Sequence, residues 1–447
     1  MRDFAAAGFE LGRSSTGAQP MIDDSAIRGA WPSRLGTPPK LRDLNYLVWG
    51  FLFVGFVLPF SIVILTSHRP PDADFAMFYS LGRILNEHAP TDLYNYDLQT
   101  KLCEEVHPQK GIYGPSPYPP YVGMVFRTVT VLPYWAAYAV WVLISLALYG
   151  IGLHWVITRF FPQQALARSL LFALSYSYFP FIAYTAGNGQ LSAVGFFAIA
   201  LALREDDRDH AFRCGLALCL CIYKPTLLIL IVPMLLVTRR FKAFLAFVIG
   251  TSSLVLLTTA IEGSAIWASF LRAIFSFGNS SVGVKNHSIL PLAKYVDLTS
   301  FSSNIHGGRS TIGIAIFLCA ALLPLVMLIR FWWHSPSYDR RQRALLWAAT
   351  LTWTLLLNIY VPIYDSILVV LSILMTAGAL QGVANKSLRR AFTVTWVLIL
   401  ICSWFSVPLS RSIGIQCMTL LFACLGVVQF AGLHQPQREF DLDKSHA

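Results

Sequence analysis

Twelve apolar runs, most of them close to 20 residues long, constrain this chain more than any other feature. They fall at 46–66, 134–157, 168–186, 189–203, 213–223, 226–238, 241–261, 311–333, 345–361, 365–383, 391–407 and 412–433. A helix needs about 20 mostly apolar residues to cross the hydrocarbon core of a bilayer, and there every backbone amide must be satisfied within its own segment. The pattern therefore predicts an all-α, polytopic integral membrane protein with about twelve transmembrane helices. Composition agrees: 55% of the residues are hydrophobic and only 13% are charged, about half the charged share of a soluble domain. A soluble enzyme, a disordered protein and a disulfide-built secreted scaffold are all excluded. Of the eight cysteines, seven lie in apolar runs and read as small packing residues; Cys103 sits in a polar loop.

One junction decides the topology. The runs 213–223 and 226–238 are divided by Lys224-Pro225. A single straight helix would bury a lysine at mid-membrane and a proline inside the helix; two short helices meeting at a polar turn avoid both costs. With that break, and with the N-terminus inside, 23 of the 34 Lys and Arg residues fall on the inner side, although the outer loops are longer. The net charge of +11 then reflects contact with anionic lipid rather than nucleic acid. The expected organisation is a mostly disordered cytoplasmic tail over 1–44, a transmembrane catalytic domain over 45–433, and a cytoplasmic tail over 434–447. Two outer loops, 68–133 and 262–310, are long. Within the first, the spacing of apolar residues predicts helices over 73–88 and about 118–132, lying along the interface.

Five polar interruptions gather on the outer side: Asp72 and Asp74 after the first run, Asn188-Gly189-Gln190, Lys224-Pro225, Asn286-His287-Ser288, and Tyr364-Asp365. Ionisable groups at membrane depth are costly and usually face a cavity or a partner. Each also has a plainer reading. Asp72, Asp74 and Asp365 could cap helices, Lys224 could reach up to lipid headgroups, and Asn188 and Gln190 could be turn residues. Asp72-Ala73-Asp74 could hold a divalent cation through oxygen ligands, but no His or Cys spacing suggests zinc, and the residues single out no other cofactor. Neither a phosphate-binding glycine loop, a dinucleotide fingerprint nor a nucleophile elbow occurs. An activated substrate would then come from the membrane, as a lipid-linked donor.

These residues carry a resemblance. Asp74-Phe75 with Tyr79, Leu93-Tyr94, Tyr118-Pro119-Pro120, Leu132-Pro133, Gly189-Gln190, Lys224-Pro225, Asn286-His287-Ser288 with Leu290, and Tyr364-Asp365 follow in the order seen in glycosyltransferase family 87. The chain resembles that family over roughly residues 45 to 430. At His287 the family more often has Gln.

The resemblance implies a GT-C type enzyme of the plasma membrane, a bacterial inner membrane, with its site on the outer face. It would move a hexosyl group, typically mannosyl, from a polyprenyl-phosphate donor to a glycan or glycolipid acceptor. Asp74 would be the single carboxylate base of an inverting transfer. Lys224 would meet the donor phosphate, helped by Arg272 or Lys285. Asp72, Tyr79, Tyr118, Asn188, Gln190, Asn286, His287, Ser288 and Asp365 would contact substrate. The competing reading is a transporter or flippase of a lipid-linked sugar, which needs the cation but not a fixed base.

Overall fold

The computed structural model describes residues 41–66, 73–106, 116–278, 292–305, 311–381 and 383–435. From Tyr46 onward these form one compact unit. The first apolar run is a continuous rod made of α1 (Leu41–Leu52), one π-helical turn and α2 (Leu58–Thr66). The first long loop folds as α3 (Ala73–Glu87), α4 (Tyr96–Val106) and α5 (Pro120–Val129). Then come α6 (Tyr134–Phe160), α7 (Ala165–Tyr176), α8 (Ser192–Asp207), α9 (Ala211–Cys219), α10 (Ile231–Val237) and α11 (Phe241–Glu262). The second long loop holds α12 (Ala265–Gly278) and α13 (Leu298–Ile305). Five helices finish the chain: α14 (Thr311–His334), α15 (Arg340–Leu356), α16 (Leu368–Leu380), α17 (Lys386–Ile413) and α18 (Cys417–Leu433).

Each of the twelve apolar runs contains helix. Six are long and apolar enough to cross a membrane, and five further apolar helices are 10–17 residues long, among the described residues. The outward faces are apolar too: Leu143, Leu256, Leu318 and Leu323 are all exposed, as helices solvated by lipid require. Close approach of helices replaces the hydrophobic drive that lipid removes. At the α9–α11 contact a Cβ on Gly215 would run into the Ala243 carbonyl, so no larger residue fits without a shift.

The ends of the helices follow local chemistry. Asp339 caps α15 in a capping box with Gln342, Asn385 caps α17 through the Leu388 amide, and Gly414 takes the left-handed conformation (φ 72°) that ends α17. The expected break at Lys224-Pro225 is present. α9 runs into a 3-10 turn at Leu220–Tyr223, Lys224 is extended (φ −140°, ψ 83°), and Pro225–Leu228 forms a second turn before α10.

Helices form at both places expected in the first long loop, and they pack on each other. The buried side of α3 carries Phe75, Phe78, Leu81 and Ile84, each worth about 1.5–3 kcal/mol on leaving water. Two expectations about cysteine are corrected. Cys103 is buried in α4, its thiol donating to the Ala76 carbonyl and Ser80, because the loop around it is helical. Cys402 and Cys417 are joined in a disulfide between α17 and α18, since the hairpin brings together residues that are 15 apart in sequence.

Candidate active site

The site is built around the first turn of α3. Asp74 lies there, where a carboxylate also suits the positive end of the helix dipole. The turn at 187–190 holds it. The Phe75 amide donates to the Asn188 carbonyl at 2.9 Å, and Asn188 Nδ2 donates to Asp74 Oδ2 at 3.4 Å. Gln190 is buried and also hydrogen-bonds the Asp74 side chain. The turn is in turn fixed by α6: Tyr138 donates to the Gly187 carbonyl at 2.7 Å and Trp141 Nε1 to the Gly189 carbonyl at 2.8 Å. Gly189 has φ +72°, and a Cβ there would stand 2.7 Å from the Phe75 Cβ. Glycine is thus required both by the backbone conformation and by the approach of α3. Burial pushes the Asp74 carboxyl above its ordinary value, opposed by the bonds from Gln190 and Asn188 and by the charges of Lys294 and Lys224.

Lys224 does not reach up to lipid. It is buried, and its ammonium is paired with Asp365, whose other oxygen accepts from Ser192 Oγ at 3.0 Å. The rings of Tyr364 and Tyr360 lie 4.8 and 5.3 Å from Lys224 Nζ. Asp365 is accordingly an ion-pair partner and not a simple cap. Tyr118 hydrogen-bonds Tyr364 and lies within electrostatic reach of both Asp365 and Asp74. Burial and those two charges hold its phenol well above its ordinary value, so it is a neutral donor.

A second cation joins the site that sequence reasoning missed. Lys294, like Lys224, lies within electrostatic reach of Asp74. Its segment is clasped to the strip that ends in Asp365. Val296 donates to the Val361 carbonyl at 2.9 Å, and the Val361 amide donates to Asp297 Oδ2 at 2.9 Å. Asp297 also accepts from the Ser300 amide and hydroxyl. From α18, Thr419 donates to the Val296 carbonyl, and Gln416, just ahead of that helix, to the Ala293 carbonyl.

The structure thus brings together Asp74, Asn188, Gln190, Tyr118, Lys224 and Asp365. It uses Tyr79 elsewhere: the hydroxyl donates to the Leu132 carbonyl at 2.9 Å and the ring packs edge-on against Tyr134, making a strut between α3 and the start of α6. Arg272 is exposed on α12 and bonds back to Ala268 and Ser269 of its own helix. Asp72, Lys285, Asn286, His287 and Ser288 lie outside the described residues. Among the described residues no group of three His, Cys, Asp or Glu side chains could hold a metal ion.

The sequence pattern of glycosyltransferase family 87 matches residues 117–362, more than half of the chain. The chain belongs to glycosyltransferase family 87. No curated protein and no solved structure matches it. A family 87 chain is a membrane glycosyltransferase, acting on a donor and an acceptor in a membrane setting. The match to family 87 takes in Tyr118, Asn188, Gln190, Lys224 and the 286–288 motif; Asp74 precedes it, and Asp365 lies just beyond its end.

Proposed function

We propose that this glycosyltransferase moves a hexosyl group, mannosyl by its resemblance, from a polyprenyl-phosphate donor to a glycan or glycolipid acceptor at the outer face of the plasma membrane. The observation that carries the reading is the convergence of a desolvated carboxylate, Asp74, with two lysines, Lys224 and Lys294, at one polar cluster within a bundle otherwise clad in apolar residues. The electrostatic needs of the reaction match it. As the bond from the anomeric carbon to the phosphate oxygen breaks, the electron pair leaves with polyprenyl phosphate, and the two ammonium groups offset the growing charge. The acceptor oxygen attacks from the opposite side while its proton passes to Asp74. One carboxylate suffices, and the anomeric centre inverts. Asn188, Gln190 and the neutral Tyr118 phenol supply hydrogen bonds for sugar hydroxyls. The prenyl chain lies along the exposed apolar faces between spans. Asp365 holds the Lys224 ammonium in place while no donor is bound.

The test is donor profiling in reconstituted membranes, comparing mannose, glucose, arabinose and galactosamine carriers with an acceptor mixture present. Consumption of one hexosyl carrier, dependent on acceptor, is expected. Movement of the carrier across the bilayer without its consumption would instead make the protein a flippase.

A further inference from the structure

A cavity of about 430 Å3 opens at the other end of the same helices and shares no residue with the Asp74 cluster. Along α6, Trp141 touches the active-site turn while Arg159 lines this cavity, a separation of about 27 Å at the helical rise. Five arginines line it: Arg159, Arg204, Arg208, Arg340 and Arg343. Its two acids, Asp206 and Asp207, are already matched. Asp207 takes a two-pronged bond from Arg159, and buried Asp206 is paired with Arg240 while accepting from Trp347 Nε1 at 2.9 Å.

The remaining guanidiniums exceed their partners. Arg208 and Arg343 stand 3.7 and 3.8 Å from Glu205 and Asp209, too far for hydrogen bonds. Arg204 makes no ion pair within 4 Å among the described residues and instead lies 4.5 Å over the Trp155 ring, which holds its planar fork in place. Arg340 opens α15, whose helix dipole adds positive potential at the same point. Like charges gather at a cost, so this arrangement suits an anion that accepts several N–H bonds at once. Phosphate has that geometry. The cavity also lies where membrane helices end, with apolar Val156, Leu203 and Met375 in its wall. Basic pockets between membrane helices at such a level take anionic headgroups.

We propose that this cavity binds a phosphate group, presented by the headgroup of an anionic phospholipid. The proposal is independent of the reading of the Asp74 cluster. It is tested on the full chain in mixed micelles by native mass spectrometry, comparing retention of phosphatidylglycerol and phosphatidylcholine. The parent is expected to prefer phosphatidylglycerol, and Arg204→Gln with Arg343→Gln to lose that preference by about tenfold, as for loss of charge-assisted bonds. Arg168→Gln, a charge on α7 that does not line the cavity, should keep it. Should the double variant fail to fold, Arg204→Lys retains the charge but not the fork and is expected to lose part of the preference. Equal retention of both lipids by the parent, or the same loss in Arg168→Gln, overturns the site. Arginine-dependent stabilisation by inorganic phosphate without any lipid preference would overturn the lipid assignment.

Discussion

Replacing Asp74 by Asn tests the reaction most directly. The side chain keeps its shape, and its remaining carbonyl oxygen can still accept from Asn188 or Gln190, but it can no longer take a proton. Transfer should fall by about 10²-fold to 10⁴-fold, the usual weight of general base catalysis. Donor affinity should hold, since the change removes a negative charge from the neighbourhood of the bound phosphate. Thermal stability should not fall either, because a desolvated carboxylate gives way to a neutral group. The pH dependence supplies a second readout with a fixed sign. The base works only when ionised, and burial raises its proton affinity above that of an ordinary carboxylate. Activity is therefore lost as pH falls through a value higher than free aspartate would give, and the residual rate of Asp74→Asn lacks that acid limb. The assay follows sugar transfer from labelled polyprenyl-phosphate hexose in proteoliposomes, with donor binding measured separately. Near-parental transfer by Asp74→Asn, or an unchanged acid limb in its profile, would refute the assignment.

Two further substitutions probe how the site is held. Lys224→Ala should weaken donor binding by about 2 kcal/mol or more, and should also destabilise the fold by about 3–5 kcal/mol because Asp365 is left buried without its partner. The pair Lys224→Met with Asp365→Leu should restore the melting temperature but not transfer; recovery of both would show that Lys224 has no part in binding donor. Gly189→Ala changes no reacting group, yet it forces a side chain into a positive-φ conformation worth about 1–2 kcal/mol and against the Phe75 Cβ. Melting temperature and transfer rate should fall together, and parental values for both would mean that the turn does not position Asp74.

What could be read from the sequence was whatever interrupts a pattern. The apolar runs became helices because lipid leaves the backbone no other choice, and Lys224-Pro225, Asn188-Gly189-Gln190 and Tyr364-Asp365 stood out against them. What stayed hidden depends on which interruptions meet. Lys224 and Asp365 were each visible, but their pairing joins residues 141 apart. Lys294 gave no signal, since it sits in a polar loop where a lysine is ordinary; only the clasp of Val296 and Asp297 onto Val361 brings it to the site. The place of Tyr79 was equally hidden: its residue type does not tell that its hydroxyl bonds the Leu132 carbonyl, 53 residues on. The arginines of the second cavity were counted for their side of the membrane. Charge bias reports the sign of a loop, not that residues from α6, α8 and α15 share one hollow.

The buried pair of Lys224 and Asp365 has a consequence for how the protein is made. Either charge left buried without its partner costs about 3–5 kcal/mol, so neither segment settles well without the other. The ribosome adds about 5–20 residues per second, and the 141 residues between the partners take about 7 to 30 seconds to synthesise. For that interval Lys224 lacks the partner it has in the finished fold, and α9 and α10 are expected to pack fully only once Asp365 arrives. Final packing of the fifth and sixth apolar runs is thus expected to wait for the tenth.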